Sequence, residues 1–233
     1  PSGIIDILRC TGSYYETSQI SLAWAGGLLT QDDMTLMVNA YETYRHEIGD
    51  HNVLIFGDST SAGGGGGIIS QQMDNDSYST DDLSFGGENI AQQKARFVGL
   101  PSTYRQHIDC SFLMIGLNDL TMTTPQIIAA YQDLVDTIRA SVGATNKIIG
   151  VTMIPCNRSG DQQWIDLNAA IRGQGATPIT GLDGVIDTVA TALNAGDNTL
   201  AAAYDSGDHL HENAAGSQLI ADLYDAQLTA FGF

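Results

Sequence analysis

Four short segments of this sequence contain the residue types that serine-dependent ester cleavage requires. They are Gly57-Asp58-Ser59, Gly86-Gly87, Gly116-Leu117-Asn118-Asp119 and Asp208-His209-Leu210-His211. In chain order they supply a nucleophile, donors for a developing oxyanion, and a base with an acidic partner. No single segment would indicate this chemistry, because short motifs match by chance. Together they favour acyl transfer as the reaction class.

Ser59 is the candidate nucleophile because it follows an apolar run, residues 53–56, that predicts a buried strand. The break at Gly57 places the serine at the carboxyl end of that strand, where ligands bind in open parallel sheets. The alternative is an ordinary turn, since Gly, Asp and Ser also form turns and cap helices.

His211 is the candidate base, and Asp208, three residues earlier, is its candidate partner. A carboxylate in a loop that doubles back can accept the Nδ1 proton of the imidazole and leave Nε2 to take the serine proton. His209 is the competing base, but its neighbour Asp208 is adjacent in sequence, which suits such a loop less well. A divalent-metal site is a further alternative, although no pair of Cys or His at zinc spacing supports it. Its ligands would be Asp205, Asp208, His209 and His211.

Asn118 and Gly87 are the candidate oxyanion donors. Asn118 follows another apolar run, residues 110–115, and is therefore expected at the same sheet edge as Ser59. Removing a side-chain donor of this kind costs roughly 3 to 4 kcal/mol in serine hydrolases. Gly87 could add a backbone N–H if its loop begins a helix. Asn118 and Asp119 could instead form only an Asx turn.

The elements that must position these residues alternate between strands and amphipathic helices. Thr124-Pro125 predicts a helix start, followed by an apolar face and a stop at Gly143. Further elements are predicted as a strand over 147–154, a helix with Trp164, Leu167, Ala170 and Ile171 inward, and a helix over 214–228. This alternation predicts an α/β fold: a three-layer α/β/α sandwich with a central parallel sheet, flavodoxin-like.

In these motifs the chain resembles the SGNH hydrolases, also called GDSL esterases and lipases. The resemblance covers residues 53–230 and extends to Asn213 and Gly216 after the last motif. A weaker likeness to the family's fourth region lies in 164–168 and 171–172. The family's fold is the predicted sandwich.

By this resemblance Ser59 would be the nucleophile, His211 the base and Asp208 its orienting acid. The oxyanion hole would consist of the Ser59 amide, Gly87 and Asn118, and no cofactor or metal is implied. One position departs from the family pattern, because Thr60 stands where a leucine usually follows the serine. With the glycine run 63–67 behind it, this departure predicts a mobile or open loop beside the nucleophile.

Composition narrows the class further. The chain has 233 residues, 43% of them hydrophobic, which suffices for one large domain with a proper core. A formal net charge of −18 repels phosphate backbones and anionic membrane surfaces, so nucleic acid is a poor partner. No run is long and apolar enough for membrane insertion, and no signal peptide is recognisable, although a secreted or extracellular location is favoured. The three cysteines, Cys10, Cys110 and Cys156, predict at most one disulfide, with Cys110 a buried apolar residue.

Residues 1–50 are predicted to form an N-terminal extension that packs, partly as one helix, on a catalytic domain spanning 51–233. The predicted function is hydrolysis of short-chain acyl esters, especially carbohydrate O-acetyl groups, because no extended apolar lid segment is visible and the glycine run predicts an open polar cleft. Lipid, aryl-ester or thioester hydrolysis is the alternative among enzymes. A non-catalytic carbohydrate-binding domain of a larger surface protein is the alternative of another class. The oligomeric state stays open.

Overall fold

A computed structural model describes residues 51–73 and 78–233 of the chain. In these residues five strands form one parallel sheet in the order β2-β1-β3-β4-β5. The strands are β1 (His51–Gly57), β2 (Tyr78–Asp82), β3 (Cys110–Met114), β4 (Lys147–Val151) and β5 (Gly184–Ile186). The predicted extension and its helix, with Cys10, lie outside the described residues.

Helices connect the strands and cover both faces of the sheet. They are α1 (Ile69–Gln72), α2 (Ile90–Gly99), α3 (Ser102–Arg105), α4 (Thr124–Ser141), α5 (Gln162–Ile171) and α6 (Ala214–Phe231). Two short 3₁₀ turns, Leu117–Asp119 and Thr188–Ala190, follow β3 and β5. No helix in the described part of the chain is long and apolar enough to cross a membrane.

Alternating side chains of β1 build two separate cores. Leu54 and Phe56 belong to a cluster with α2, α4 and α5, whereas Val53 and Ile55 belong to a second cluster with α1 and α6. Successive residues of a strand point to opposite faces, so a strand buried on both faces reads as continuously apolar. In the second cluster Phe112 of β3 stacks on Tyr224 of α6 with ring centroids 4.0 Å apart. The two clusters confirm the predicted three-layer α/β/α sandwich.

Two predicted boundaries shift by a few residues. The α4 cap is Thr123 rather than Thr124, because Thr123 forms a capping box with Gln126. Strand β4 ends at Val151 rather than at residue 154. The cause is Asn168 of α5, whose side chain bonds both the N–H and the C=O of Met153 and so takes the chain out of the sheet ladder.

Two of the cysteines lie in these cores. Cys110 and Cys156 are both buried and free. Burial raises the pKa of both thiols, and Cys110 behaves as the small apolar residue predicted from its strand.

The fold brings the four sequence segments to one edge of the sheet. Strands β1 and β3 are neighbours, and the segments containing Ser59 and Asn118 follow their carboxyl ends. The segment containing His211 immediately precedes α6, and α6 packs on the same sheet.

Candidate active site

The turn that carries Ser59 is held by buried polar contacts. Asp58 accepts the Thr60 amide at 3.0 Å and the Thr60 hydroxyl at 2.9 Å, and both side chains are buried. A Cβ at Gly57 would lie 2.2 Å from Ser61 Oγ, so this position has room only for glycine. Thr60 therefore fixes the turn beside Ser59 through two hydrogen bonds to Asp58.

Ser59, His211 and Asp208 form a continuous relay. Ser59 Oγ lies 2.7 Å from His211 Nε2, and His211 Nδ1 lies 2.6 Å from Asp208 Oδ2. The first of these distances connects residues 152 positions apart in sequence. With its proton on Nδ1, the imidazole donates to Asp208 and accepts from the serine, which is the arrangement that general-base activation of a hydroxyl requires.

Asp208 is fixed by its own loop. Its Oδ1 accepts the backbone N–H groups of Leu210 and His211, at 2.9 and 2.8 Å. The hydrogen bond from His211 and these amides hold the pKa of Asp208 well below its usual range, despite an opposing effect of burial. The carboxylate is consequently ionised at neutral pH, and the His211 ring that it orients is only 16% exposed.

His209, the competing base, takes a different partner. Its Nδ1 lies 2.5 Å from Asp205 Oδ2, and its side chain is 75% exposed. The four residues weighed as metal ligands thus form two His–Asp pairs, Asp205 with His209 and Asp208 with His211. Within residues 51–73 and 78–233, no three His, Cys, Asp or Glu side chains are grouped to hold a metal ion.

Part of the glycine run beside Ser59 packs closely against the histidine segment, whereas Gly66 is exposed and has nothing within 4 Å of its Cβ position, so the open or mobile loop stays a prediction. A Cβ at Gly64 would lie 2.6 Å from His211 Cδ2, and one at Gly65 only 1.9 Å from the carbonyl oxygen of Glu212. At Gly67 a Cβ would lie 2.5 Å from Ser217 Oγ, which donates to the Gly67 carbonyl. At these positions glycine permits a close approach to the histidine segment that a larger residue would prevent.

The three candidate oxyanion donors lie on neighbouring loops. Asn118 Nδ2 donates to the Glu88 carbonyl at 2.9 Å, which uses one of its two N–H groups and connects its turn to the Gly86-Gly87 loop. A Cβ at Gly86 would be 3.8 Å from Ser59 Cβ, so this loop borders the nucleophile. Gly87 has φ +81°, a conformation that favours glycine. Gly87 is not at the start of a helix, as the sequence analysis had considered. It lies two residues before Asn89, the N-cap of α2.

Three acids whose burial was not predicted from the sequence adjoin three of these residues. Asp58 precedes Ser59, Asp119 follows Asn118 and Glu212 follows His211. Burial raises the pKa of Asp58, that of Asp119 to about 6 and that of Glu212 to about 8.

Like Asp58, which accepts two hydrogen bonds from Thr60, the other two acids have hydrogen-bond partners. Asp119 accepts the Ile90 amide at 3.0 Å and so connects the Asn118 turn to α2, while Glu212 Oε1 lies 3.3 Å from Ser217 Oγ. The available sequence signal was an acidic residue next to each candidate. Asn213 and Gly216 complete the last motif. Asn213 caps α6, and Gly216 allows close packing against Glu212.

The fourth region, residues 164–168 and 171–172, holds the segment that leads to the histidine loop. Asn168 holds Met153, and the Trp164 indole N–H donates to the Ile154 carbonyl at 3.2 Å. The segment that continues from there reaches the histidine loop, because the Asn157 N–H donates to the His209 carbonyl at 2.7 Å. The fourth region therefore contacts the histidine loop through backbone hydrogen bonds rather than through a side chain.

A relay of serine, histidine and aspartate beside N–H donors is the arrangement that serine hydrolases use. Comparison with known proteins gives the same class, because the GDSL-like lipase/acylhydrolase family model matches residues 55–219. The chain belongs to this family of ester hydrolases. No curated protein matches the chain.

Solved structures share the fold at low sequence identity. A GDSL-like lipase from Bacteroides thetaiotaomicron aligns with a TM-score of 0.60 and 14% identity, over 86% of this chain and 98% of its own. A carbohydrate esterase family 3 protein from Talaromyces cellulolyticus aligns with a TM-score of 0.55 and 21% identity, over 77% and 97%. The acetylxylan esterase Axe2 from Geobacillus stearothermophilus aligns with a TM-score of 0.55 and 18% identity, over 78% and 94%.

Proposed function

We propose that Ser59 is the nucleophile of an acyl-enzyme mechanism, with His211 as its base and Asp208 as the orienting acid. The relay from Ser59 Oγ through both nitrogens of His211 to Asp208, with distances of 2.7 and 2.6 Å, carries this proposal. A lone exposed serine would not be activated, because the hydroxyl is a weak nucleophile until a neighbouring base takes its proton.

The reaction follows from this geometry in two halves. His211 Nε2 accepts the Ser59 proton as Oγ attacks the ester carbonyl, and Asp208 stabilises the resulting imidazolium. The tetrahedral oxyanion is bound by the backbone N–H groups of Ser59 and Gly87 and by the second N–H of Asn118. The ester C–O bond then breaks, and the imidazolium gives its proton to the departing alkoxide oxygen, which leaves the acyl group on Ser59 Oγ. Water, deprotonated by the same imidazole, attacks the acyl-enzyme; the bond to Ser59 Oγ breaks, the imidazolium returns the proton to Oγ, and the acid is released.

We propose short acyl groups on a carbohydrate alcohol as the substrate class. Asn118, Gly86 and Gly87 are all exposed, so the donors lie at the protein surface, where an ester carried by a large alcohol can reach them. A cavity of about 610 Å³ lies elsewhere, between α4, α5 and the loop after α5, and none of the candidate catalytic residues lines it. Two structures of similar fold are named as an acetylxylan esterase and a carbohydrate esterase, which is consistent with this class.

Hydrolysis of p-nitrophenyl esters from acetyl to dodecanoyl tests both parts of the proposal. We expect the highest kcat/KM for acetyl, and Ser59→Ala should lose at least about 10³-fold in kcat because the hydroxyl is the reacting group. Ser102→Ala, at an exposed position at the start of α3, is the matched control and should keep full activity.

Labelling with a fluorophosphonate separates the nucleophile from the substrate class. Label on Ser59 of the folded protein is expected. A folded protein without label would contradict the nucleophile assignment and favour a binding domain. A preference for long acyl chains in a labelled protein would contradict only the substrate class.

A further inference from the structure

Phe85 is the most exposed large hydrophobic side chain in the described residues, at 56%. Its backbone lies beside the nucleophile turn, because its N–H donates to the Gly57 carbonyl at 3.1 Å. The next residue, Gly86, has its Cβ position 3.8 Å from Ser59 Cβ. The exposed Phe85 side chain therefore immediately precedes Gly86, the residue that borders Ser59.

The Phe85 ring is held by charged neighbours. The Arg96 guanidinium lies over the ring, 5.1 Å from its centroid. Arg96 is itself bound to the Glu88 carboxylate, and the Glu88 N–H donates to the Phe85 carbonyl at 3.2 Å. Arg96, through hydrogen bonding and charge, lowers the pKa of Glu88, so this ion pair persists at neutral pH. A cation–π contact of this kind gives an exposed ring a preferred orientation.

The same unit also reaches the oxyanion donors. The Glu88 carbonyl is the acceptor for Asn118 Nδ2 at 2.9 Å. The segment that carries Phe85 and Gly87 is thus tied to the Asn118 turn by this hydrogen bond and to the Ser59 turn by the bond from Phe85 N–H to the Gly57 carbonyl, so a molecule that rests on Phe85 lies next to the loops that carry the candidate donors. Preorganised contacts to a remote part of a substrate position its reacting group.

The surroundings favour a sugar ring over an acyl chain as the occupant. The other exposed large hydrophobics in the described residues are Val98, Ile165 and Val185, and none belongs to a candidate site segment. A long acyl chain needs a continuous apolar groove, whereas a single ring backed by an ion pair offers one flat face beside polar groups. A pyranose matches such a surface, since it has one C–H-rich face and hydroxyls at its edge.

We propose that Phe85 is a binding platform for the alcohol part of the substrate, a pyranose ring whose acetyl ester lies over Ser59. This inference rests on the proposed carbohydrate-ester function and adds to it the residue that selects the alcohol. Phe85 makes no covalent contribution, and it acts on substrate affinity and orientation.

Kinetics with two acetate esters that share the acyl group test the platform. With acetylated xylo-oligosaccharides, Phe85→Ala should raise KM about tenfold with kcat nearly unchanged, a size expected for one lost ring contact. With methyl acetate, whose alcohol is too small to reach the ring, kcat/KM should stay within about twofold, because the chemical machinery is intact. Phe85→Trp should retain a low KM for the sugar ester. The control is Val98→Ala, at an exposed apolar position on α2, and it should change the kinetic constants for neither substrate.

Three results would overturn the inference. A parallel loss on both acetates would make Phe85 a structural support of the oxyanion loop. A loss confined to long-chain p-nitrophenyl esters would assign the ring to the acyl side. Wild-type protein that cleaves methyl acetate through Ser59 but not the sugar acetates would remove the carbohydrate substrate, and the platform with it, while leaving the esterase assignment intact.

Discussion

Two His–Asp pairs lie within residues 205–211 and differ in exposure and in what the second ring nitrogen faces. His211 pairs with Asp208, is 16% exposed and points Nε2 at Ser59 Oγ. His209 pairs with Asp205 and is 75% exposed. A carboxylate on Nδ1 is therefore common to both rings and does not distinguish the proposed base from its neighbour. The second nitrogen must also face a hydroxyl.

The backbone explains why the pairs diverge. His209 has φ +61°, a left-handed conformation that is uncommon outside glycine and turns the chain between the two histidines. Its carbonyl is held by the Asn157 N–H, and its N–H is held by Asp205. On the other side of this turn, the close approach of Gly64 confines the His211 ring.

The largest effect on kcat is expected when the two histidines are replaced one at a time. His211→Ala should lower kcat for p-nitrophenyl acetate by about 10⁴-fold or more, because the base that takes the Ser59 proton is removed. His209→Ala should keep activity within about threefold, since that exposed ring pairs with Asp205 and the Ser59 hydroxyl pairs with His211. Circular dichroism of both variants checks that each is folded. Equal losses in two folded variants would contradict the distinction.

The next smaller effect on kcat is expected from replacing the two aspartates that pair with these histidines. Asp208→Asn should lower kcat by about 10²- to 10⁴-fold, because the amide neither fixes the correct tautomer nor stabilises the imidazolium. Asp205→Asn should leave kcat within about threefold. Burial opposes ionisation of Asp205, yet hydrogen bonds from Gly207 and His209 keep its pKa low, so its substitution affects the loop rather than the base. Steady-state kinetics at pH 7 to 8 make the measurement, and the reverse ranking would assign Asp205 to catalysis.

Sequence patterns predicted the interior of the fold better than its edges. The runs that became β1, β3 and β4 are apolar because these strands are covered on both faces. Strand β2 reads Tyr-Ser-Thr-Asp-Asp and β5 has only three residues, so neither shows a strand pattern. Both are edge strands, whose residues need not be apolar.

The site divides in the same way. Ser59, Asn118 and His211 could be proposed from sequence because their chemistry is recognisable in short motifs. The role of the glycine run could not, because Gly64 and Gly65 are required by contacts with residues about 150 positions later. The same holds for Phe85, whose importance depends on exposure beside Ser59 and on an Arg96 that arrives from α2.

A third carboxylate of the histidine segment sharpens the comparison of the two pairs. Asp205 and Asp208 have lowered pKa values because they accept several hydrogen bonds, whereas Glu212 is buried without an imidazole partner. Burial, with added repulsion from Asp58 and Asp208, raises the pKa of Glu212 from 4.5 to about 8. One of its oxygens has no hydrogen-bond partner among the described residues.

This raised pKa predicts how stability depends on pH. The unfolded chain ionises Glu212 above pH 4.5, while the folded protein keeps it protonated until about pH 8, so the folded state binds the extra proton in between. The free energy of unfolding should therefore fall as pH rises through this window, by at most about 1.4 kcal/mol per pH unit from this group, and level off above it.

Glu212→Gln keeps the shape of the protonated acid and removes its ionisation. Urea denaturation from pH 5 to 9 should give a flatter curve for this variant and a higher stability than wild type at pH 9. Asp222→Asn, at an exposed position on α6, should keep the wild-type slope. Parallel curves for wild type and Glu212→Gln would mean that Glu212 ionises in the folded protein as readily as in the unfolded chain, and that its burial does not distinguish it from Asp205 and Asp208.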